Sequence, residues 1–264
     1  MLRTLFAYAF HLTGFTQPGN LKMVYIGLLY LEMFIIMLFL LIAMVLLLDY
    51  ILFSFSSKHH LVAIKINQDV ISLADIIFVV LPTIIVLYMI VPAVGFVYSY
   101  DGFQVYTSQS YLNLHITGHQ WYWSYELFYD SCSVSLLEDL HLSHAFDSIL
   151  SSETGAQKHR LLEVDHALIL PSGVAINSYI TSADVIHSWT IPGLGVKVDA
   201  IPGRIQSFTL FSDIDSGTFY GQCSELCGIH HARMPIVLTV VNSNLFEVYL
   251  FINSNIDLGE STFL

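Results

Sequence analysis

The sequence predicts a two-helix membrane hairpin followed by an all-β domain, a sandwich or a barrel. Two long apolar runs occupy the first hundred residues, and short β-rich runs separated by proline and glycine begin at about residue 111. Hydrophobic residues make up 55% of the 264 residues and charged residues 11%, against roughly 25% charged in an ordinary soluble domain. This composition excludes a disordered chain and argues against a purely soluble one.

The first apolar run extends from Met33 to Leu48 and is bracketed by Glu32 and Asp49. Flanking apolar residues on either side lengthen it to about twenty, which is what a ~30 Å hydrocarbon layer requires. A buried helix of a soluble protein is the alternative for such a run. The length of the run and its lack of charged residues favour a membrane span.

The second run, Ile76–Tyr100, contains no charged residue and lies between two aspartates. Pro82 and Pro92 would break a soluble helix, but membrane helices tolerate proline as a kink. A short polar stretch connects the runs, so we expect an antiparallel hairpin. The predicted organisation is therefore an N-terminal segment over 1–23, a hairpin over 24–100 and an outer domain over 101–264.

The outer domain is predicted to be antiparallel β-structure, because its β-rich runs are short and regularly punctuated. A helix is expected at Asn244–Ile252, and a long surface loop between Asp130 and His159, which contains Cys132. The predicted strands are Leu112–Thr117, Leu161–Leu170, Val174–Thr181, Val185–Ile191, Arg204–Phe211, Thr218–Gly221 and Pro235–Val241.

All of the net charge of −12 lies on the outer domain. Residues 1–100 hold four basic and four acidic side chains, whereas residues 101–264 hold five basic and 17 acidic ones. An acidic surface of this size repels nucleic acid and attracts basic partners. We therefore expect no nucleic-acid binding.

A cluster of metal-ligating residue types follows the predicted strand Thr218–Gly221. Cys223, Cys227, His231 and Met234 lie within twelve residues. Thiolates and a thioether are soft ligands that favour copper(I), and imidazole suits copper in either oxidation state. Two cysteines in one loop can bridge two metal ions, and His187, which ends a β-rich run, is the best candidate for a second histidine.

Three simpler interpretations remain open on spacing alone. Cys223 and Cys227 could form a disulfide, the Cys–His set could hold structural zinc, or the cysteines could simply be buried. Met234 favours copper over zinc, because zinc seldom uses a thioether.

Several motifs resemble one known family, the binuclear copper (CuA) subunit of cytochrome c oxidase. The run from Cys223 to Met234 is similar to the family's copper loop, and the aromatic run from Gly118 to Tyr125 is similar to its aromatic signature. Three further runs match in order and spacing: Leu162–Asp165, Asp184–Trp189 and Asp199–Arg204. The resemblance implies a cupredoxin-like Greek-key barrel after the membrane hairpin.

The resemblance also implies a set of copper ligands. Copper would be bound by the side chains of His187, Cys223, Cys227, His231 and Met234 and by the backbone carbonyl of Glu225. The family pattern identifies His231 as the copper ligand and His230 as the residue next to it in the sequence. In the family, the carboxylate at the position of Glu225 binds magnesium at the interface with subunit 1, a role that suits a hard oxygen ligand.

Other roles follow from the same resemblance. Trp121 would be the residue through which electrons enter, although a core or membrane-interface aromatic is the alternative. Asp75 would lie at the mouth of a proton path, where relatives carry glutamate, or be an ordinary acid flanking a helix. Candidate docking acids for basic cytochrome c, each of which could also be an ordinary surface acid, are Glu126, Asp130, Asp139, Asp165 and Asp184.

The implied function is that of a cytochrome c oxidase subunit. It would accept single electrons from cytochrome c at a binuclear copper centre and pass them to haem in subunit 1, where oxygen is reduced to water and protons are pumped. Partners would be cytochrome c, the other oxidase subunits and membrane lipid. The composition resembles a mitochondrially encoded protein of the inner membrane, its copper domain in the intermembrane space; a bacterial plasma membrane is the alternative. A copper-free quinol oxidase subunit and a zinc-stabilised or copper-delivery protein are the rival functions.

Overall fold

The computed structural model describes residue 14 and residues 16–55, 67–106, 112–129, 142–151 and 159–260. The chain forms two compact units. One comprises Gly27–Phe103, and the other comprises Met1–Ile26 together with Gln104–Leu264.

Two long apolar helices make up the first unit and its flanks. Helix α1 spans Leu21–Ser54 and helix α2 spans Gln68–Tyr106. Their most apolar 18-residue windows have mean hydropathies of 3.0 and 2.7 and are 0% buried within the protein. Helices that are apolar all round and unburied suit a lipid environment. The predicted pair of apolar helices is confirmed, and α2 continues through Pro82 and Pro92.

The start of α1 is attached to the β domain. The Asn20 side-chain oxygen accepts a hydrogen bond from the Met23 amide at 2.8 Å, an N-cap that satisfies one free amide of the first turn. The Asn20 amide group donates to the carbonyls of Leu194 and Phe211 at 3.1 and 3.0 Å. Residues immediately before the helix therefore belong to the same unit as the barrel.

The β domain is a sandwich of two five-stranded sheets. Their orders are β3-β2-β1-β5-β8 and β4-β10-β9-β6-β7, with β1 parallel to β5 and β4 parallel to β10. The strands are β1 Leu112–His119, β2 Tyr122–Tyr129, β3 Leu142–Ser148, β4 Leu168–Pro171, β5 Ile176–Ser182, β6 His187–Ile191, β7 Val196–Ala200, β8 Gln206–Leu210, β9 Gly217–Cys223 and β10 Pro235–Val241.

Alternating side chains of the two sheets form one core. Along β1, Leu112, Leu114 and Ile116 are fully buried, as the period-two pattern of a half-buried strand requires. Trp189 of β6 donates its indole N–H to the Tyr125 hydroxyl of β2 at 3.2 Å, which links the two sheets through the core. The predicted all-β domain of the cupredoxin-like type is confirmed, but the expectation of antiparallel structure throughout is wrong, because each sheet contains one parallel pair of strands.

The structure differs from the sequence expectation at residues 130–159. Within the predicted loop, β3 pairs antiparallel with β2 from Trp123↔Ser148 to Tyr129↔Leu142. Two inward-facing positions of β3 carry polar side chains, His144 and Ser148. They interrupt the alternation of apolar and polar residues from which a strand is predicted. Strands β2 and β7 were also not predicted, and of the predicted strand at 161–170 only residues 168–170 belong to a strand, β4.

The predicted C-terminal helix is present and longer than expected. Helix α3 spans Ser243–Glu260. Phe246 and Leu250 lie one turn apart on one face and are buried in the core, which fastens the helix to the sandwich.

Candidate metal centre

The cysteine–histidine cluster lies at one end of the second sheet. His187 is the first residue of β6 and Cys223 is the last residue of β9. The two strands are neighbours, with Trp189 opposite Cys223. The loop that leads from Cys223 to β10 returns to this end, where the Cys223 amide donates to the Met234 carbonyl.

The structure brings together every side chain predicted to bind copper. Cys223 Sγ lies 3.8 Å from His187 Nδ1 and 3.9 Å from Cys227 Sγ. Cys227 Sγ in turn lies 3.5 Å from His231 Nδ1 and 3.4 Å from Met234 Sδ. His187, Cys223 and Cys227 are all buried, and their ligand atoms lie within 4.8 Å of one another.

Glu225 contributes to the cluster through its backbone. The Cys223 thiol donates to the Glu225 carbonyl at 3.3 Å, so this carbonyl faces the sulfur atoms. The residue itself is exposed. Its carbonyl oxygen is thus available to the cluster, and its carboxylate is available to a different ligand.

The two thiols differ in acidity. Burial raises the pKa of the Cys223 thiol, but hydrogen bonds with His187 and with the Ser188 backbone outweigh burial and lower the pKa below that of a free cysteine. Burial, followed by repulsion from the Cys223 thiolate, raises the pKa of Cys227. A metal ion binds thiolates only, so it must displace the proton that Cys227 retains.

Asp184 orients the imidazole of His187. Its Oδ1 atom lies 2.8 Å from His187 Nε2, while its carboxylate also accepts the amides of Gln120 and Val185, both at 2.6 Å. Burial tends to raise the pKa of Asp184, but these hydrogen bonds lower it overall. Because the carboxylate is bonded to Nε2, the other ring nitrogen, Nδ1, is the one that faces a metal.

Trp121 is packed against the backbone of the cysteine loop. Its indole N–H points to the Cys227 carbonyl at 3.3 Å, and its ring meets the edge of the His230 ring with centroids 4.7 Å apart. Gly228 has φ of +126°, and a Cβ there would lie 3.2 Å from the indole. Glycine therefore permits both the turn and the close approach of the tryptophan.

The donor set fits a copper centre. Both cysteines are free thiols, and their sulfurs are 3.9 Å apart, whereas a disulfide requires about 2.05 Å. A buried thioether beside two thiols and two imidazoles is a soft set of the kind that selects copper. A four-coordinate zinc site has no need of Met234, which is 1% exposed and in contact with Cys227.

Comparisons with known proteins relate the β domain to one family. The family profile described as "Cytochrome C oxidase subunit II, periplasmic domain" matches residues 112–241. The crystal structure of the periplasmic domain of subunit II of cytochrome oxidase (CoxB) of Bradyrhizobium japonicum is 37% identical, and the match covers 56% of this chain and 97% of that domain, with a TM-score of 0.47. The chain belongs to the cytochrome c oxidase subunit II family.

Two further proteins are similar to this chain, one a subunit 2 and the other a chain of a larger oxidase. The mitochondrial cytochrome c oxidase subunit 2 of Vigna unguiculata is 41% identical over 171 residues, which is 64% of this chain and 43% of that protein. The match thus spans less than half of that relative's length. A chain of a heme-copper terminal oxidase dimer, solved by cryo-electron microscopy, is 30% identical, with 28% of this chain and 50% of that chain covered and a TM-score of 0.26.

The remaining predicted site residues are distributed over the molecule. Glu126 is half-buried on β2, and Asp75 is exposed near the start of α2. Asp165 accepts the amides of Ile149 and His166 at 2.8 and 2.7 Å, so it also braces a turn. Asp130 and Asp139 lie outside the described residues.

Sequence reasoning missed the residues that support the ligands. It treated Asp184 only as a docking acid and did not single out Gln120, whose side chain donates to the Cys227 carbonyl at 2.8 Å. Gly118 was noted only as part of a motif, yet a Cβ there would lie 2.9 Å from the His187 ring. The three-residue spacing between Asp184 and His187 was the one available signal of a carboxylate–histidine pair.

Proposed function

We propose that this protein is the electron-accepting subunit of a cytochrome c oxidase. It takes single electrons from cytochrome c at a binuclear copper centre and passes them to haem in subunit 1, where oxygen is reduced to water with proton pumping. The observation that supports this proposal most directly is that two thiols, two imidazoles and a thioether converge at one end of the sandwich.

The ligands proposed for copper are His187, Cys223, Cys227, His231, Met234 and the backbone carbonyl of Glu225. When bound there, copper would supply a centre that accepts and releases one electron at a time. The protein contributes a preformed arrangement of donors, because four of these ligands, His187, Cys223, Cys227 and Met234, are buried. Asp184 holds the ring of His187, and this restricts movement of the ligand during electron transfer.

Trp121 is the proposed point at which electrons enter. Its ring is partly exposed, and its N–H reaches the carbonyl of the ligand Cys227. The side chain therefore connects the protein surface to the copper loop by a single contact. Its position against Gly228 and His230 keeps the indole in one orientation.

The acidic outer domain is the proposed docking surface for cytochrome c. Complementary charge raises the rate of encounter and is weakened by salt. The candidate docking residues are Glu126, Asp130, Asp139, Asp165 and Asp184. Two of them, Asp165 and Asp184, also have structural hydrogen bonds, so a loss of docking on their substitution needs a structural control.

Two further acids have proposed roles at the interface with subunit 1. The exposed carboxylate of Glu225 is proposed to bind magnesium, since its carbonyl is already directed at Cys223. Asp75 is proposed to receive protons at the mouth of a path, as an exposed acid of an apolar helix. We place the hairpin in the mitochondrial inner membrane and the barrel in the intermembrane space; a bacterial plasma membrane is the alternative.

Electron paramagnetic resonance of the copper-loaded full chain tests the proposal. We expect one unpaired electron shared equally by two coppers, and we expect this spectrum to disappear in Cys223→Ser and in Cys227→Ser. His230→Gln is the matched control, because it changes a histidine beside the ligands and should leave two equivalent coppers. A signal from a single copper, or a chain that holds only zinc, would refute the proposal.

A further inference from the structure

Helix α1 carries one acidic side chain within its apolar stretch. Between Lys22 and Asp49, the only charged residue is Glu32. Its Oε1 atom accepts a hydrogen bond of 2.6 Å from the hydroxyl of Tyr88 on α2. This bond joins the two helices of the hairpin and fixes which parts of them lie at the same level.

The position of Tyr88 gives the depth of this pair in the membrane. Tyr88 is thirteen residues from Asp75 and thirteen from Asp101, with no charged residue between. At 1.5 Å per residue it lies about 20 Å along the helix from either acid. Because the hydrocarbon layer is only ~30 Å thick, Glu32 is well inside it and does not mark its edge.

The pair leaves one carboxylate oxygen of Glu32 without a donor among the described residues, and the carbonyl of Tyr88 lacks the usual helical donor four residues later. The other carboxylate oxygen of Glu32 makes no hydrogen bond to any residue that the structure describes. Pro92 has no N–H, so it cannot donate to the carbonyl of Tyr88 one turn earlier in α2. Glu32, Tyr88 and Pro92 line one groove, whose other lining residues are Ile84, Leu87 and Val91. Unsatisfied acceptors in an apolar layer are costly.

We propose that Glu32 and the Tyr88 carbonyl form a docking site for a lysine or arginine of a neighbouring transmembrane helix. The neighbour is another subunit of the oxidase, so this inference rests on the proposed function. A basic side chain supplies both the opposite charge and several N–H donors. Lipid headgroups carry similar donors, but they lie at the membrane surface, far from the level of Tyr88.

Site-specific photo-crosslinking in the assembled oxidase tests the occupant of the groove. A crosslinking side chain replaces Leu87, which lines the groove and is 57% exposed. We expect a covalent product with a transmembrane peptide of another subunit that contains lysine or arginine. The same group at Val79, exposed on α2 but outside the groove, should not give this product. A product with lipid only, or with a peptide that lacks a basic residue, overturns the proposal.

The charge itself is tested by Glu32→Gln in the full oxidase. Glutamine keeps the shape and the bond from Tyr88 but removes the negative charge. We expect the amount of haem-bearing subunit that copurifies to fall roughly tenfold, since a basic partner is left unpaired in the membrane. Asp49→Asn, at an exposed position of the same helix, should leave assembly unchanged.

The copper spectrum of the same samples separates this inference from the proposed function. Glu32→Gln should retain the binuclear signal of the parent chain, which also shows that the variant has folded. Full assembly of Glu32→Gln refutes the docking site and leaves the copper assignment intact. Absence of the binuclear signal from the parent chain refutes the proposed function, whatever the crosslinking shows.

Discussion

The carboxylate of Asp184 lies 2.8 Å from Nε2 of His187 and accepts the Gln120 amide as well. One side chain thus connects a proposed copper ligand to the backbone just before Trp121. The relationship gives Asp184 a positioning role in addition to any part in docking, and it leads to the first prediction.

Asp184→Asn should weaken copper binding without preventing it. Loss of the carboxylate leaves His187 less firmly oriented, and outer-shell changes of this kind cost about 10- to 100-fold in metal affinity. Competition with a copper chelator measures the loss, and the spectrum should still show two coppers. Glu247→Gln, an exposed acid on α3, is the control. Unchanged affinity in Asp184→Asn would remove its positioning role.

The two thiols of the copper-free chain should titrate separately, with Cys223 ionising first. The Cys223 thiolate raises the pKa of Cys227, so Cys223→Ser should lower that pKa. NMR shifts of the cysteine Cβ atoms report both ionisations, in a Cys132→Ser background that leaves only these two thiols. A Cys227 pKa that rises or does not change in Cys223→Ser would contradict the proposed repulsion.

Copper affinity should increase as the pH is raised. In the metal-free chain the raised pKa of Cys227 keeps this thiol protonated at neutral pH, and copper must displace that proton. Each rise in pH makes the displacement easier, so the apparent dissociation constant should fall. Chelator competition at several pH values measures the trend. Affinity that is flat with pH would mean that Cys227 binds without losing a proton.

Trp121→Phe should slow electron transfer from cytochrome c while copper remains bound. Phenylalanine keeps an aromatic ring but loses the N–H that reaches the Cys227 carbonyl. Stopped-flow reduction by cytochrome c measures the rate, and the copper spectrum confirms that the site is loaded. Tyr122→Phe, at a half-buried neighbouring position, is the matched control. Reduction at the parental rate in Trp121→Phe would exclude this contact from the electron path.

Gly228→Ala should destabilise the copper loop. A non-glycine residue at φ of +126° is strained, typically by about 1–3 kcal/mol, and its Cβ would press on the Trp121 indole at 3.2 Å. Thermal unfolding of the copper-free chain measures the effect. Gly203→Ala separates the two causes, because Gly203 has φ of +74° but nothing within 4 Å of a Cβ. Equal losses in both variants would show that contact with Trp121 contributes nothing.

Much of the metal centre was predictable because its ligands are close in sequence. Four side chains fall between Cys223 and Met234, and their residue types already indicate soft-metal chemistry. From the residues alone His187 was only the best candidate for the second histidine, since it enters the cluster by the pairing of β6 with β9. Strand β3 was missed because inward-facing His144 and Ser148 interrupt its apolar alternation.

The sequence by itself determined the two apolar helices, the β class of the outer domain and the donor types of the cysteine–histidine loop. These depend on composition, periodicity and short spacings, which are local properties of the chain. The tertiary structure decided that Asp184 accepts the Gln120 amide, that Gly228 admits Trp121, and that Glu32 meets Tyr88. Those contacts join separate segments, and no local pattern specifies them, because strand pairing and helix register arise only when the whole chain packs.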